Sequence, residues 1–168
     1  METVATVELR DRSFPIYKLV FGTKDKRAPT LGLFGGVHGL EKVGTHVSLY
    51  YLESFANQLR WDSELQHRLE RSRLVAIPLV NPGGMCIQWR SNPRGVDIMR
   101  NAPIEALEKP PFLLGGHRIS SIFPWYRGKE GAPMEVETQA LVKTVEEEMF
   151  ESTFSCALDL HSGFGSVD

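Results

Sequence analysis

The stretch LGLFGGVHGLEKV, residues 31–43, decides the fold. Its first seven residues are short, apolar and glycine-rich, as a buried strand is. Beyond them Val43, Val47, Tyr50, Tyr51, Phe55 and Leu59 recur at the three- and four-residue spacing of a buried helix face. The chain therefore turns from a strand directly into a helix. Working outward, residues 4–9 and 14–21 alternate partly and flank a charged turn, which predicts an opening hairpin. Residues 73–80 (RLVAIPLV) are nearly all apolar, like a sheet strand covered on both faces, with Pro78 marking a bend or an edge position near its end. Residues 136–150 follow Pro133 as a helix with Leu141, Val142, Val145 and Met149 on its apolar side, and residues 156–160 form a last strand running into His161. This order predicts an α/β/α sandwich around a mixed, largely parallel sheet, with residues 1–168 as one domain.

Between residues 81 and 133 the chain is rich in Gly, Pro and Asn and only weakly periodic, which predicts long loops and short turns. Loops of that length in a compact domain are where binding and catalytic groups are displayed.

A chain of 168 residues can build an apolar core without disulfides or metals, so a metal would serve chemistry. The net charge of -2, with both signs interspersed, gives no basic field for nucleic acid. No apolar run approaches the roughly 20 residues of a membrane span. Cys86 and Cys156 lie far apart without metal-ligand spacing, and the N-terminus has no leader pattern, so the expectation is a cytoplasmic protein.

Ligands of open α/β sheets bind beyond the carboxyl ends of strands, and two such places carry metal-ligating side chains. In GGVHGLE, residues 35–41, glycines allow a sharp turn and set His38 and Glu41 three residues apart; in residues 159–161, alternation puts Asp159 and His161 on one face. Two imidazoles and a carboxylate suit a catalytic zinc, which keeps a fourth position open. A ligating imidazole needs an acceptor on its other nitrogen, a role for Asp97 or Asp159. His46 and His67 fall in predicted helices and read as surface or packing residues, His117 lies in a loop that could approach the site, and Cys156 reads as a small buried hydrophobe.

Further stretches sharpen this. Residues 81–101 (NPGGMCIQWRSNPRGVDIMRN) resemble the zinc carboxypeptidase pattern in which Asn-Pro-x-Gly is followed by an Arg and then by Gly-Val-Asp-x-Asn-Arg-Asn. Residues 124–142 are similar to that family's Tyr-Arg-Gly segment leading into a helix, and LDLHSG to the strand that supplies its last zinc ligand. The resemblance implies one zinc ion held by His38, Glu41 and His161, with Asp97 orienting His38. It also implies Arg90 as the oxyanion-stabilising cation, and Arg100 with Asn101 at the substrate, a peptide or small amide. The expected activity is that of a metallocarboxypeptidase, a hydrolase of amide bonds. A zinc deacylase of the aspartoacylase and succinylglutamate desuccinylase type and a non-catalytic peptide-binding module are the alternatives.

Two departures stand out. Met99 replaces an asparagine beside the carboxylate-gripping arginine and can donate nothing. The family's general base, a glutamate well downstream of the third ligand, has no counterpart in the seven residues after His161, so the expectation is a carboxypeptidase-like domain incomplete at its C-terminus that binds zinc but turns over slowly.

Overall fold

The computed structural model describes residues 1–104, 107–108 and 115–162. Strands β1 (Glu2–Leu9) and β2 (Arg12–Gly22) form the expected antiparallel hairpin. β2 then pairs antiparallel with β4 (Arg73–Ile77), β4 pairs in parallel with β3 (Thr30–Gly35), and β3 pairs in parallel with β5 (Ser155–Leu160). The order is β1-β2-β4-β3-β5, a mixed sheet with two parallel and two antiparallel pairings. β4 lies inside the sheet and every one of its residues is buried, which explains its unbroken apolar character. Pro78 stands just past the strand, so it ends β4 instead of marking an edge, as expected of a residue with no amide donor.

Alternation along the strands divides the core between two layers. Leu33 and Ala76 are register partners and join Leu74 and Leu52 beneath helix α1 (Lys42–Gln58). Phe34 and Ile77, the next pair, join Ile16, Val7, Ala140 and Met149 on the side of helix α4 (Val136–Met149). The result is the expected helix–sheet–helix sandwich. Two short helices, α2 (Ser63–Leu69) and α3 (Pro82–Cys86), are also present among the described residues; α2 is capped by Asp62, whose carboxylate accepts from the Leu65 amide at 3.0 Å.

The face of α1 is corrected. Val43, Val47, Tyr50 and Tyr51 are exposed, and the helix instead buries Gly44, Thr45, Ser48 and Leu52. Small residues let α1 lie close to the sheet: a Cβ on Gly44 would collide with the Leu160 carbonyl, and the Ser48 hydroxyl donates to Thr45 O at 2.9 Å and to Pro78 O at 3.3 Å. Close approach outweighs apolar area here, so most of the apolar stripe points away from the core while Phe55 still packs against it. Cys156 is likewise exposed and not buried, because β5 stands at the edge of the sheet that the described residues form, with most of its side chains open to solvent. The long loop region holds α3 and a 3-10 turn, Ile98–Arg100, as its regular pieces among the described residues.

Candidate metal centre

Because β3 and β5 run in parallel with Gly35 opposite Leu160, the segments that follow them leave the sheet side by side. His38 comes three residues after β3 and His161 one residue after β5. Gly36, at φ +61, makes the turn that delivers His38; a side chain there would be strained and would strike Thr45. A ligand atom from each of His38, Glu41 and His161 lies within 4.8 Å of the others, and the two imidazole rings meet edge to face with centroids 4.8 Å apart.

Two carboxylates of the site stand at helix-cap positions without capping. Glu41 precedes α1 and Asp97 precedes the 3-10 turn, yet neither side chain bonds to the first amides of its helix. Both turn inward instead. Glu41 Oε1 lies 2.8 Å from His38 Nδ1, and its Oε2 accepts the Ser162 amide at 2.9 Å. Asp97, wholly buried, lies 3.2 Å from His38 Nε2 and accepts from Arg100 Nη1 at 2.9 Å and from Arg90 Nε at 3.4 Å. Burial pushes the Asp97 carboxyl up, but the hydrogen bond and charge of His38 and the Arg100 and Arg90 guanidiniums outweigh it and hold the group below its ordinary range. On the other side, Asp159 Oδ1 is 3.0 Å from His161 Nδ1. Burial pushes the Asp159 carboxyl up, more than the pull of His161 offsets.

This donor set fits a divalent cation on its own chemistry. His38 faces a carboxylate on each nitrogen; without a cation it serves both only as an imidazolium, because a neutral imidazole has one N–H to give. With that proton on Nε2 toward Asp97, the Nδ1 lone pair points at Glu41, an arrangement relieved by a cation between them. His161 with its proton on Nδ1 toward Asp159 presents Nε2, a buried nitrogen that has no hydrogen-bond partner.

The remaining expected residues fall around this point in different ways. Arg90 is next to it: its Nη1 is 3.5 Å from Glu41 Oε1, and its carbonyl accepts the Gly39 amide at 3.2 Å. Arg100 is one contact removed, reaching Asp97 and not the histidines. Asn101 is turned to the fold: its amide donates to Arg127 O at 2.8 Å and its oxygen accepts the Glu135 amide at 2.6 Å, clasping the loop to the start of α4. His117 is pinned in its own loop, with Nε2 2.8 Å from Pro124 O and Nδ1 accepting the Ile119 amide at 3.2 Å, and is not part of the ligand cluster. Sequence reasoning missed two supports. The Ser162 amide left no trace in the sequence. Asn81, fully buried, caps α3 through its oxygen on the Gly84 amide at 2.8 Å and ties α3 to Val37 O; an Asn before Pro at a helix start was the available signal.

Several known proteins are similar to this chain in sequence or in fold. Carboxypeptidase SOL1 of Arabidopsis thaliana is 32% identical over 75 residues, covering 45% of this chain and 15% of that protein. Carboxypeptidase E of Caenorhabditis elegans is 31% identical over 88 residues, covering 45% of this chain and 19% of that protein. The chain thus spans less than a fifth of either relative. Among solved structures, bovine thrombin-activatable fibrinolysis inhibitor, in complex with tick carboxypeptidase inhibitor, shares the fold with a TM-score of 0.69 at 17% identity, over 96% of this chain and 53% of that one. The family model described as zinc carboxypeptidase matches residues 6–167, a span that takes in both strand ends, both histidines and the carboxylates between them, and the chain belongs to that family.

Proposed function

We propose that this chain binds one zinc ion through His38, Glu41 and His161 and acts on an amide bond of a peptide or small amide. The observation that carries the reading is the convergence of these three side chains within 4.8 Å, with the buried His161 Nε2 left without a partner. Zinc held by such ligands polarises a carbonyl and lowers the pKa of bound water toward neutrality. The chain's own groups do the rest. Asp97 and Asp159 hold the two imidazoles in place by their far nitrogens. Arg90, partly exposed beside Glu41, supplies a cation for the negative charge that develops on an attacked carbonyl oxygen.

Substrate grip is weaker than the family pattern implies. Arg100 is committed to Asp97, and Met99 beside it is 56% exposed and offers no donor. An amide without a free terminal carboxylate is therefore as acceptable as one with it. Each of the three carboxylates that the described residues bring to the site is engaged, Glu41 with His38, Asp97 with His38 and two arginines, Asp159 with His161. None of these three stands ready as a general base, a role worth about 10²- to 10⁴-fold.

Metal analysis of protein purified without added metal tests the reading. One equivalent of zinc is expected, falling to a trace in His161→Ala. Zinc-free wild-type protein that also takes up none on titration would overturn it. Assays on peptides with free and blocked C-termini and on N-acyl amino acids then separate peptidase from deacylase activity.

A further inference from the structure

The charges around Glu41 carry one step more, resting on the zinc reading above. Glu41 is 6% exposed, and its Oε1 is shared between His38 Nδ1 at 2.8 Å and Arg90 Nη1 at 3.5 Å. Asp97 is shared between Arg90 Nε at 3.4 Å and Arg100 Nη1 at 2.9 Å. Two buried carboxylates thus face the Arg90 and Arg100 guanidiniums. A divalent cation arriving at Glu41 adds two positive charges a few ångströms from a guanidinium, in surroundings that screen them less than bulk water does. Of the two arginines, Arg90 holds its partners less closely, with both contacts at the long end of hydrogen bonding and its side chain 23% exposed to solvent it can move into.

We propose that Arg90 and the divalent cation compete for the Glu41 carboxylate, so that Arg90 lowers the metal affinity of the site it serves. The guanidinium is a counter-ion to Glu41 until a cation displaces it, and the displaced group is then turned away from Glu41 toward any substrate oxygen at the rim. Arg100 plays no such part. It contacts Asp97, the carboxylate that orients His38, and so supports the ligand set.

The experiment is a zinc titration against a chromophoric chelator on the full chain, with thermal melts in the presence and absence of zinc. Arg90→Gln is expected to bind zinc roughly tenfold more tightly than wild type, the order of effect for removing one nearby cation. Its zinc-induced rise in Tm should be larger, because a ligand stabilises in proportion to the logarithm of its excess over Kd. Arg90→Lys, which keeps a charge at the rim, should stay close to wild type and serves as the comparison if the glutamine variant folds poorly. Arg100→Gln should bind no more tightly than wild type. If wild type binds zinc and folded Arg90→Gln binds it equally or more weakly, or if Arg100→Gln gains as much affinity, the competition is refuted while the zinc site stands. If wild type binds no zinc, the zinc reading falls and this inference with it.

Discussion

The fold contains two buried charge clusters that look alike in composition and differ in closure. On the α4 side, Glu148 bonds with both Lys18 and Arg73, Arg73 also donates to the Glu148 carbonyl at 2.8 Å, and Lys18 reaches Glu2 at 3.0 Å. At the strand ends, Glu41 and Asp97 meet Arg90 only at 3.4–3.5 Å, and His161 Nε2 has no partner. The first cluster joins β2, β4 and α4 and leaves its carboxylate no oxygen to offer; the atom it leaves unpaired, Arg73 Nε, is an N–H donor and no ligand for a cation. The second leaves donors aimed at a common point. A buried charge network that closes on itself holds structure together, whereas one that stays open is arranged for a ligand.

The sharpest way to break this contrast is to delete one member of each cluster and measure stability in the absence of metal. Glu148→Ala leaves Lys18 and Arg73, whose side chains are 6% and 3% exposed, without their shared carboxylate. Removing one partner of a buried pair typically costs about 3 kcal/mol or more, and urea unfolding should read that loss. His161→Ala removes a side chain whose outer nitrogen bonds to nothing, and its metal-free stability should shift by less than about 1 kcal/mol. Equal losses in the two variants would erase the distinction between a closed and an open cluster.

What was legible in the sequence follows the same division. His38, Glu41 and His161 sit at strand ends on short local patterns, and the parallel pairing of β3 with β5 is enough to bring them together. Lys18, Arg73 and Glu148 lie on three elements, with successive members 55 and 75 positions apart, and nothing local distinguishes them from surface charges. The face of α1 was misread for a related reason. Periodicity reports where apolar residues recur, but Gly44, Thr45 and Ser48 win the interface through backbone proximity, which no hydrophobic pattern records. Asn101 shows the limit of carrying roles over by position, since its amide is engaged by Arg127 and Glu135.

A pH series sharpens the contrast at smaller scale. Burial pushes the Glu148 carboxyl up, but its contacts with Arg73 and Lys18 and the charge of Lys26 hold it below its ordinary value of 4.5. For a depressed carboxyl the stabilisation is complete above the ordinary value and is lost as pH falls through the lower folded one. Lys18 has the opposite sign: burial pushes it down, the Glu148 and Glu2 contacts outweigh that, and its contribution is complete below 10.5 and lost as pH rises through the higher folded value. The difference in Tm between wild type and Glu148→Gln should therefore be greatest between these limits and shrink on acidification below 4.5. A difference that stays constant from neutral pH to strongly acid pH would remove charge pairing as its cause.

A third buried charge lies between the two extremes. Glu137, 1% exposed at the start of α4, receives one long contact from Asn92 Nδ2 at 3.4 Å, while its Oε1 has no partner. Burial pushes its carboxyl up, with the neighbouring charge of Glu135 adding to the rise. For a raised carboxyl the sign reverses relative to Glu148: the folded state favours the proton, so stability declines as pH climbs from 4.5 through the higher folded value. Glu137→Gln keeps the shape and removes the charge, and should stabilise the protein by up to about 1 kcal/mol at neutral pH. The gain should vanish below 4.5, where the native glutamate is itself protonated in both states. Melting curves of the two proteins at neutral and acid pH decide it; a variant less stable at neutral pH would mean that the negative charge at the α4 N-terminus is worth more than its burial costs, and that Glu137 belongs with the closed network.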